Sequence, residues 1–159
     1  MNDNTLTPAD PDFEQRVRDS FARQGFMSTL RAEITQLGPG ICEIQVPYAE
    51  GLSQQHGFFH GGIVGTLADN AGGYAAFTLM PADATVLTVE FKVNLLAPAQ
   101  GERLISRGRV ARAGRTLTVC NSSVYALKDG AERLCGEALV TLMALHGKPD
   151  TPGHGSSEK

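Results

Sequence analysis

Residues 61–79, GGIVGTLADNAGGYAAFTL, are the constraint around which the rest of the chain has to fold. The run is apolar, is closed by Pro81, and reads as one long buried helix. Gly61, Gly65, Gly72, Gly73 and Ala76 leave much of it without bulky side chains. Each glycine costs a helix roughly 1 kcal/mol relative to alanine, so the sequence implies a compensating close approach by a sheet. Asp69 stands in the middle of this run, with Leu67 and Ala68 before it and Ala71 soon after. A short carboxylate is a poor helix-interior residue, and burying it charged and unpaired costs several kcal/mol or forces protonation. It is either satisfied by a local network, with Asn70 or Thr66 as neighbours, or kept for chemistry.

Around that helix the chain alternates. Asp10-Pro11 opens an amphipathic helix carrying Phe13, Val17, Phe21 and Ala22 and ending near Gly25. Residues 26–37 read as a strand, Gly38-Pro39-Gly40 as a turn, and residues 41–47 as its hairpin partner with period-2 alternation. After the long helix come strand-like runs at 85–95, 102–112, 116–128 and 132–145, read as a meander with turns at Gly114-Arg115 and Asp129-Gly130. One helix embedded among antiparallel strands gives an α+β fold, a single domain whose sheet wraps the helix. Residues 1–24 form a tail and helix, with 1–9 disordered. Residues 25–146 form the domain proper, and residues 147–159 a polar tail that buries nothing.

Composition narrows the function. The 159 residues suit one domain, and a net charge of −3 gives no general pull toward nucleic acid or anionic membrane. No stretch reaches the roughly 18 apolar residues of a membrane span. The first residues lack a basic region followed by an apolar run, so a cytoplasmic protein is expected. Cys42, Cys120 and Cys135 are scattered through strand-like runs and read as core thiols. His56, His60, His146 and His154 have no metal-ligand spacing, so neither metal nor redox cofactor is expected.

Four segments then meet a known family. They are Gln54-Gln55-His56-Gly57-Phe58-Phe59-His60-Gly61-Gly62, the helix with Asp69 nine residues after His60, the strand Leu87-Thr88-Val89-Glu90-Phe91, and the turn Gly114-Arg115-Thr116-Leu117. The chain over about residues 25–145 resembles the hotdog fold, and its motif resembles the PaaI-like acyl-CoA thioesterases. The resemblance implies hydrolysis of an acyl-CoA thioester, with Asp69 as general base or nucleophile. It implies that the Gly61 N–H polarises the carbonyl, with His60 and Gly62 shaping the turn. Gln54 falls where many relatives have asparagine, and Thr88 where some have a serine that holds the attacking water. It also implies sites at a dimer interface, within a homodimer or dimer of dimers.

Physical chemistry supports part of this independently. A buried helix start offers free N–H groups and the positive dipole end to a carbonyl oxygen, and a carboxylate can deliver water. Eight residues separate Gly61 from Asp69, or roughly 12 Å along one helix, too far to serve one carbonyl. Only a second copy brings the two together. An apolar acyl tunnel between the central helix and the sheet of the second copy, lined by residues such as Phe58, Phe59, Tyr74 and Leu87, is expected. Arg115 is a candidate for the nucleotide phosphates, with Arg112 beside it, whereas Arg107 and Arg109 read as a solvated sheet face. Glu90, read as sharing a strand face with Thr88, is a candidate second acid. A non-catalytic acyl-CoA binder and a hydroxyacyl dehydratase stand as rivals, and the acyl chain is left open.

Overall fold

The computed structural model describes residues 6–148, 150 and 151. The elements run α1 (Phe13–Ala22), α2 (Gly25–Thr29), β1 (Glu33–Gly38), β2 (Ile41–Pro47), a 3-10 turn (Glu50–Leu52), α3 (Gly61–Phe77), β3 (Ala84–Leu95), β4 (Arg103–Ala113), β5 (Leu117–Lys128) and β6 (Ala131–His146). The strands form one antiparallel sheet in the order β1-β2-β4-β5-β6-β3, and α3 packs against β2 through β6. This is the hotdog arrangement that the resemblance implied.

The glycines of α3 and the sheet explain how close that packing is. A methyl group at Gly108 of β4 would overlap the Ala71 carbonyl of α3, and one at Gly72 would stand 3.0 Å from the Ser122 hydroxyl of β5. Helix backbone therefore lies almost directly on sheet backbone. Leu67, Ala68, Ala71, Ala75, Ala76 and Phe77 are fully buried by it, facing Ile44, Val46, Leu104, Val124, Val140 and Leu142 from the strands. The alternation expected in β2 is present, with Cys42, Ile44 and Val46 inward. The three thiols are free and buried, and burial pushes Cys42 and Cys120 up to about 12 and Cys135 up to about 11.

Three readings of the sequence need correction. Residues 26–37 are not one strand: α2 occupies Gly25–Thr29, because Met27 and Leu30 bury themselves one helical turn apart, and Arg31 leaves the turn at φ 53. The last four strands are not a simple meander. β4 already holds β2 on one side and β5 on the other, so β3 lies at the far edge beside β6. Glu90 does not share a face with Thr88. The ladder shifts register between them: Thr88 pairs Leu142 on the helix side, whereas Glu90 pairs Thr141 on the outer side. This bulge at Val89 turns Glu90 away from α3.

The first helix is tied to the end of the central one. Arg16 of α1 donates to the carbonyls of Phe77, Met80 (2.6 Å) and Pro81, pairs Asp10 at 3.0 Å, and lies over the Phe77 ring. A guanidinium there satisfies orphan carbonyls and meets the negative end of the α3 dipole. The expectations for residues 1–9 and 147–159 fall partly on residues 1–5, 149 and 152–159, outside those described. Asp150 sits against the body, accepting from Arg23 Nη2 and Thr85 Oγ1, each at 2.7 Å.

Gly108→Ala is expected to lower stability by about 3 kcal/mol, because backbone on both sides prevents relaxation. The urea midpoint measures it, and an unchanged midpoint contradicts the packing described.

Candidate active site

The start of α3 is built by a short loop pinned at both ends. Phe59 N–H donates to the Ala99 carbonyl and His60 N–H to the Leu52 carbonyl, each at 2.9 Å. Gln54 and Phe58 close the loop between them, with Gly57 at φ 80, a conformation that favours glycine. Phe59 is buried edge-on to Tyr48 and anchors the loop. His60 is the N-cap: its backbone is extended and its Nδ1 accepts from the Gly62 N–H at 2.9 Å. The Ile63 and Val64 N–H groups turn back to the His60 carbonyl. Gly61 N–H donates to no group among the described residues, so it is the orphan donor left at this helix start. It opens on a cleft of about 160 Å³ lined by Gln54, Phe58, Gly61, Leu95 and Pro98. Gln54 spends its Oε1 on the His56 N–H, which leaves its Nε2 as a further donor.

Two turns along α3 the chemistry changes. β3 runs antiparallel beside this face of the helix, so Leu95 lies at Gly61, Phe91 and Val93 at Gly65, and Thr88 at Asp69. Thr88 Oγ1 donates to Asp69 Oδ1 at 2.8 Å. The bond fixes the carboxylate, and Oδ2 has no partner among the described residues. Burial pushes Asp69 above the ordinary carboxylate value, with the Thr88 bond opposing it. Asp69 opens on a second cleft of about 430 Å³, which shares no lining residue with the first. Among the described residues, one helix therefore holds an unpaired N–H and a half-buried carboxylate that face different spaces.

The remaining candidates distribute unevenly. Gln54, Phe58 and Phe59 join Gly61, whereas Tyr74 and Thr88 join Asp69. His60 and Gly62 line a groove with Phe26 and Thr66 beside the helix start. Leu87 does not line either cleft: it pairs Met143 on the outer face of the sheet and is 51% exposed. Arg115 is exposed at the β4–β5 hairpin, its carbonyl 3.2 Å from His146 Nε2, apart from both clefts. Arg107 pairs Glu43 and Glu132 on the outer sheet face. Within one chain the space beside Asp69 has a polar wall, formed by Ser20, Gln24, Asn70 and Asp150. Sequence reasoning missed these. The signal was Ser20, a polar residue on the side of α1 that carries Val17, followed four residues later by Gln24 where α1 gives way to α2.

The chain is similar to several known proteins. Residues 56–141 match the family model of the Thioesterase superfamily. A Halobacterium salinarum protein that carries an esterase name is 35% identical over 113 residues, covering 68% of this chain and 74% of that one. The crystal structure of a thioesterase family protein from Silicibacter pomeroyi superimposes with a TM-score of 0.84 at 56% identity, covering 85% of this chain and 99% of that chain. The 1,4-dihydroxy-2-naphthoyl-CoA hydrolase of Listeria monocytogenes is 26% identical over 95 residues, 60% of this chain and 77% of that one.

The raised Asp69 value has a consequence for stability. A carboxyl group with a folded pKa above its unfolded one stabilises fully at low pH, and that contribution is lost as pH rises through the folded value. Asp69→Asn keeps an acceptor for Thr88 and removes the charge. It is expected to melt higher than the native chain at pH 7, with the gap closing on acidification below about pH 4. Thermal melts across pH measure this, and a lower melting point at pH 7 contradicts it.

Proposed function

Because the chain belongs to the Thioesterase superfamily, we propose that it hydrolyses acyl-CoA thioesters, with each reaction centre shared between two copies. The observation that carries this reading is the separation of Gly61 from Asp69 on one helix, in clefts without a common residue. A CoA thioester as substrate is supported by the Listeria monocytogenes relative, which is named for one.

The free edge of the sheet supports a place for the second copy. β3 is an edge strand of 12 residues whose outer hydrogen-bonding edge meets no other strand among the described residues. Phe91 and Leu95 face the helix side yet are 44% and 58% exposed, because α3 covers them only in part. A long apolar edge left in water invites pairing with its like. Antiparallel pairing of two β3 strands about a two-fold axis covers these side chains and creates two equivalent sites. The same pairing carries the Asp69 beside one β3 toward the Gly61 beside the other.

In that arrangement the thioester oxygen accepts from Gly61 N–H, at the positive end of the α3 dipole, with Gln54 Nε2 as a second donor. The partner subunit's Asp69 acts through its free Oδ2, either taking a proton from water or attacking the carbonyl carbon itself. Thr88 holds the other oxygen. A raised pKa makes Asp69 the stronger base once ionised, so activity should fall on acidification at a pH above the usual aspartate range. Water supplies the oxygen of the acid, by attacking the thioester directly or by hydrolysing the anhydride that Asp69 has formed. The C–S bond breaks, and the proton released by water passes to the departing thiolate, which leaves as coenzyme A. Arg115, on the exposed hairpin, is assigned to the nucleotide phosphates on its charge alone. No helix among the described residues is long and apolar enough to cross a membrane.

Two variants test the chemistry by thiol release from an acyl-CoA panel. Asp69→Ala is expected to lower kcat by at least about a hundredfold. Gly61→Pro deletes the N–H at a first-turn position that tolerates proline, after a residue already extended, and is expected to cost about 100- to 1000-fold. Native turnover by folded Asp69→Ala defeats the proposed chemistry.

Mixing the two variants tests the sharing. Random exchange of subunits should restore roughly a quarter of native activity, since half the dimers are mixed and each holds one complete site. A mixture that stays inactive despite subunit exchange places the site within one copy.

A further inference from the structure

Building on the thioesterase reading, we propose that the Asp69 cleft selects acyl groups bearing a hydroxyl at their far end, and that Gln24, at the junction of α1 and α2, is the residue that selects them. Gln24 lies outside residues 56–141, the part of the chain that matches the family, and reaches the cleft only because α1 folds over α3.

The hydrogen-bond inventory of the cleft decides which end group fits. Gln24 Nε2 donates to the Tyr74 hydroxyl at 2.7 Å, and Ser20 Oγ lies 3.3 Å from the same hydroxyl. The amide is thus oriented, and its Oε1 engages no group among the described residues. Asn70 spends its Nδ2 on the Thr66 carbonyl at 3.1 Å, and its Oδ1 likewise engages no group among the described residues. Two oriented acceptors therefore line the space next to Asp69, and both need a donor. Arg23, the cation at this cleft, is already held by Asp150 at 2.7 Å.

An alkyl end would cover these acceptors and leave them without water, which costs affinity. A carboxylate end has no proton to offer and would approach two carboxylates, Asp69 and Asp150. A hydroxyl offers one donor and carries no charge. The distance also suits: Tyr74 stands five residues beyond Asp69 on α3, roughly 7.5 Å along the axis. A six-carbon acyl group reaches that far from a carbonyl held beside Asp69.

The test compares hexanoyl-CoA, 6-hydroxyhexanoyl-CoA and adipyl-CoA, which share a chain length and differ at the far end. The native protein is expected to favour 6-hydroxyhexanoyl-CoA over hexanoyl-CoA by about tenfold in kcat/KM, the worth of one hydrogen bond, with adipyl-CoA the poorest. Gln24→Leu and Gln24→Met should abolish the preference, mainly by raising KM for the hydroxylated substrate. Equal kcat/KM for the first two substrates in the native protein, or a preference that survives in a folded Gln24 variant, overturns the inference. So does silence toward all three while phenylacetyl-CoA or decanoyl-CoA is cleaved. If no thioester in the set releases thiol, the thioesterase reading falls as well.

Discussion

The contact between the α3 backbone and the strand β4, where Gly108 meets the Ala71 carbonyl, sets the distance from which everything else in the molecule is measured. With no side chain between them, helix and sheet are held at close range, and the curved strands fold round the helix instead of lying flat beneath it. The same closeness brings β3 along one face of α3, with Leu95 at Gly61 and Thr88 at Asp69. The carboxylate is thus placed by a sheet strand as much as by its own helix. Glycine is costly in a helix, and here that cost is offset by burial of the neighbouring apolar side chains.

Much of the fold was legible because its signals are local. The bounds of β2 agree with the reading at both ends, and the other long strands fall within a residue or two of theirs, since period-2 burial and Gly-containing turns mark them. α2 was not legible, because Met27 and Leu30 are too few to show a helical period against a strand-like background. The position of β3 was not legible either. Adjacent strands usually pair, and nothing in residues 96–102 announces that β4 is already flanked on both sides. The bulge at Val89 defeated the face assignment of Glu90 for a related reason: one extra residue reverses a period of two, and composition does not reveal it.

The candidate site divides in the same way. Asp69 stood out because a carboxylate in an apolar helix has an energetic cost, and the orphan N–H at Gly61 follows from helix geometry alone. The Thr88 bond to Asp69 needed the strand register, which only the folded chain supplies. The polar wall beside Asp69 was invisible because it is assembled from three distant places: α1, the middle of α3 and Asp150. Tyr74 and Leu87, grouped in one tunnel by their apolar character, point to different sides of the sheet. Character predicts burial better than direction.

The Arg16 clamp carries a consequence for how the molecule comes together. Its partners at Phe77, Met80 and Pro81 lie 61 to 65 residues further along the chain. During synthesis α1 emerges first yet has nothing to grip until the whole central helix has left the ribosome. Pairing β2 with β4 closes a comparable 56 to 68 residues, from Pro47–Arg103 to Ile41–Arg109, so the clamp and the middle of the sheet carry a similar loop-closure cost. Until that clamp closes, the α1 side of the cleft beside Asp69, where Ser20 stands, lacks one of its ties to the central helix.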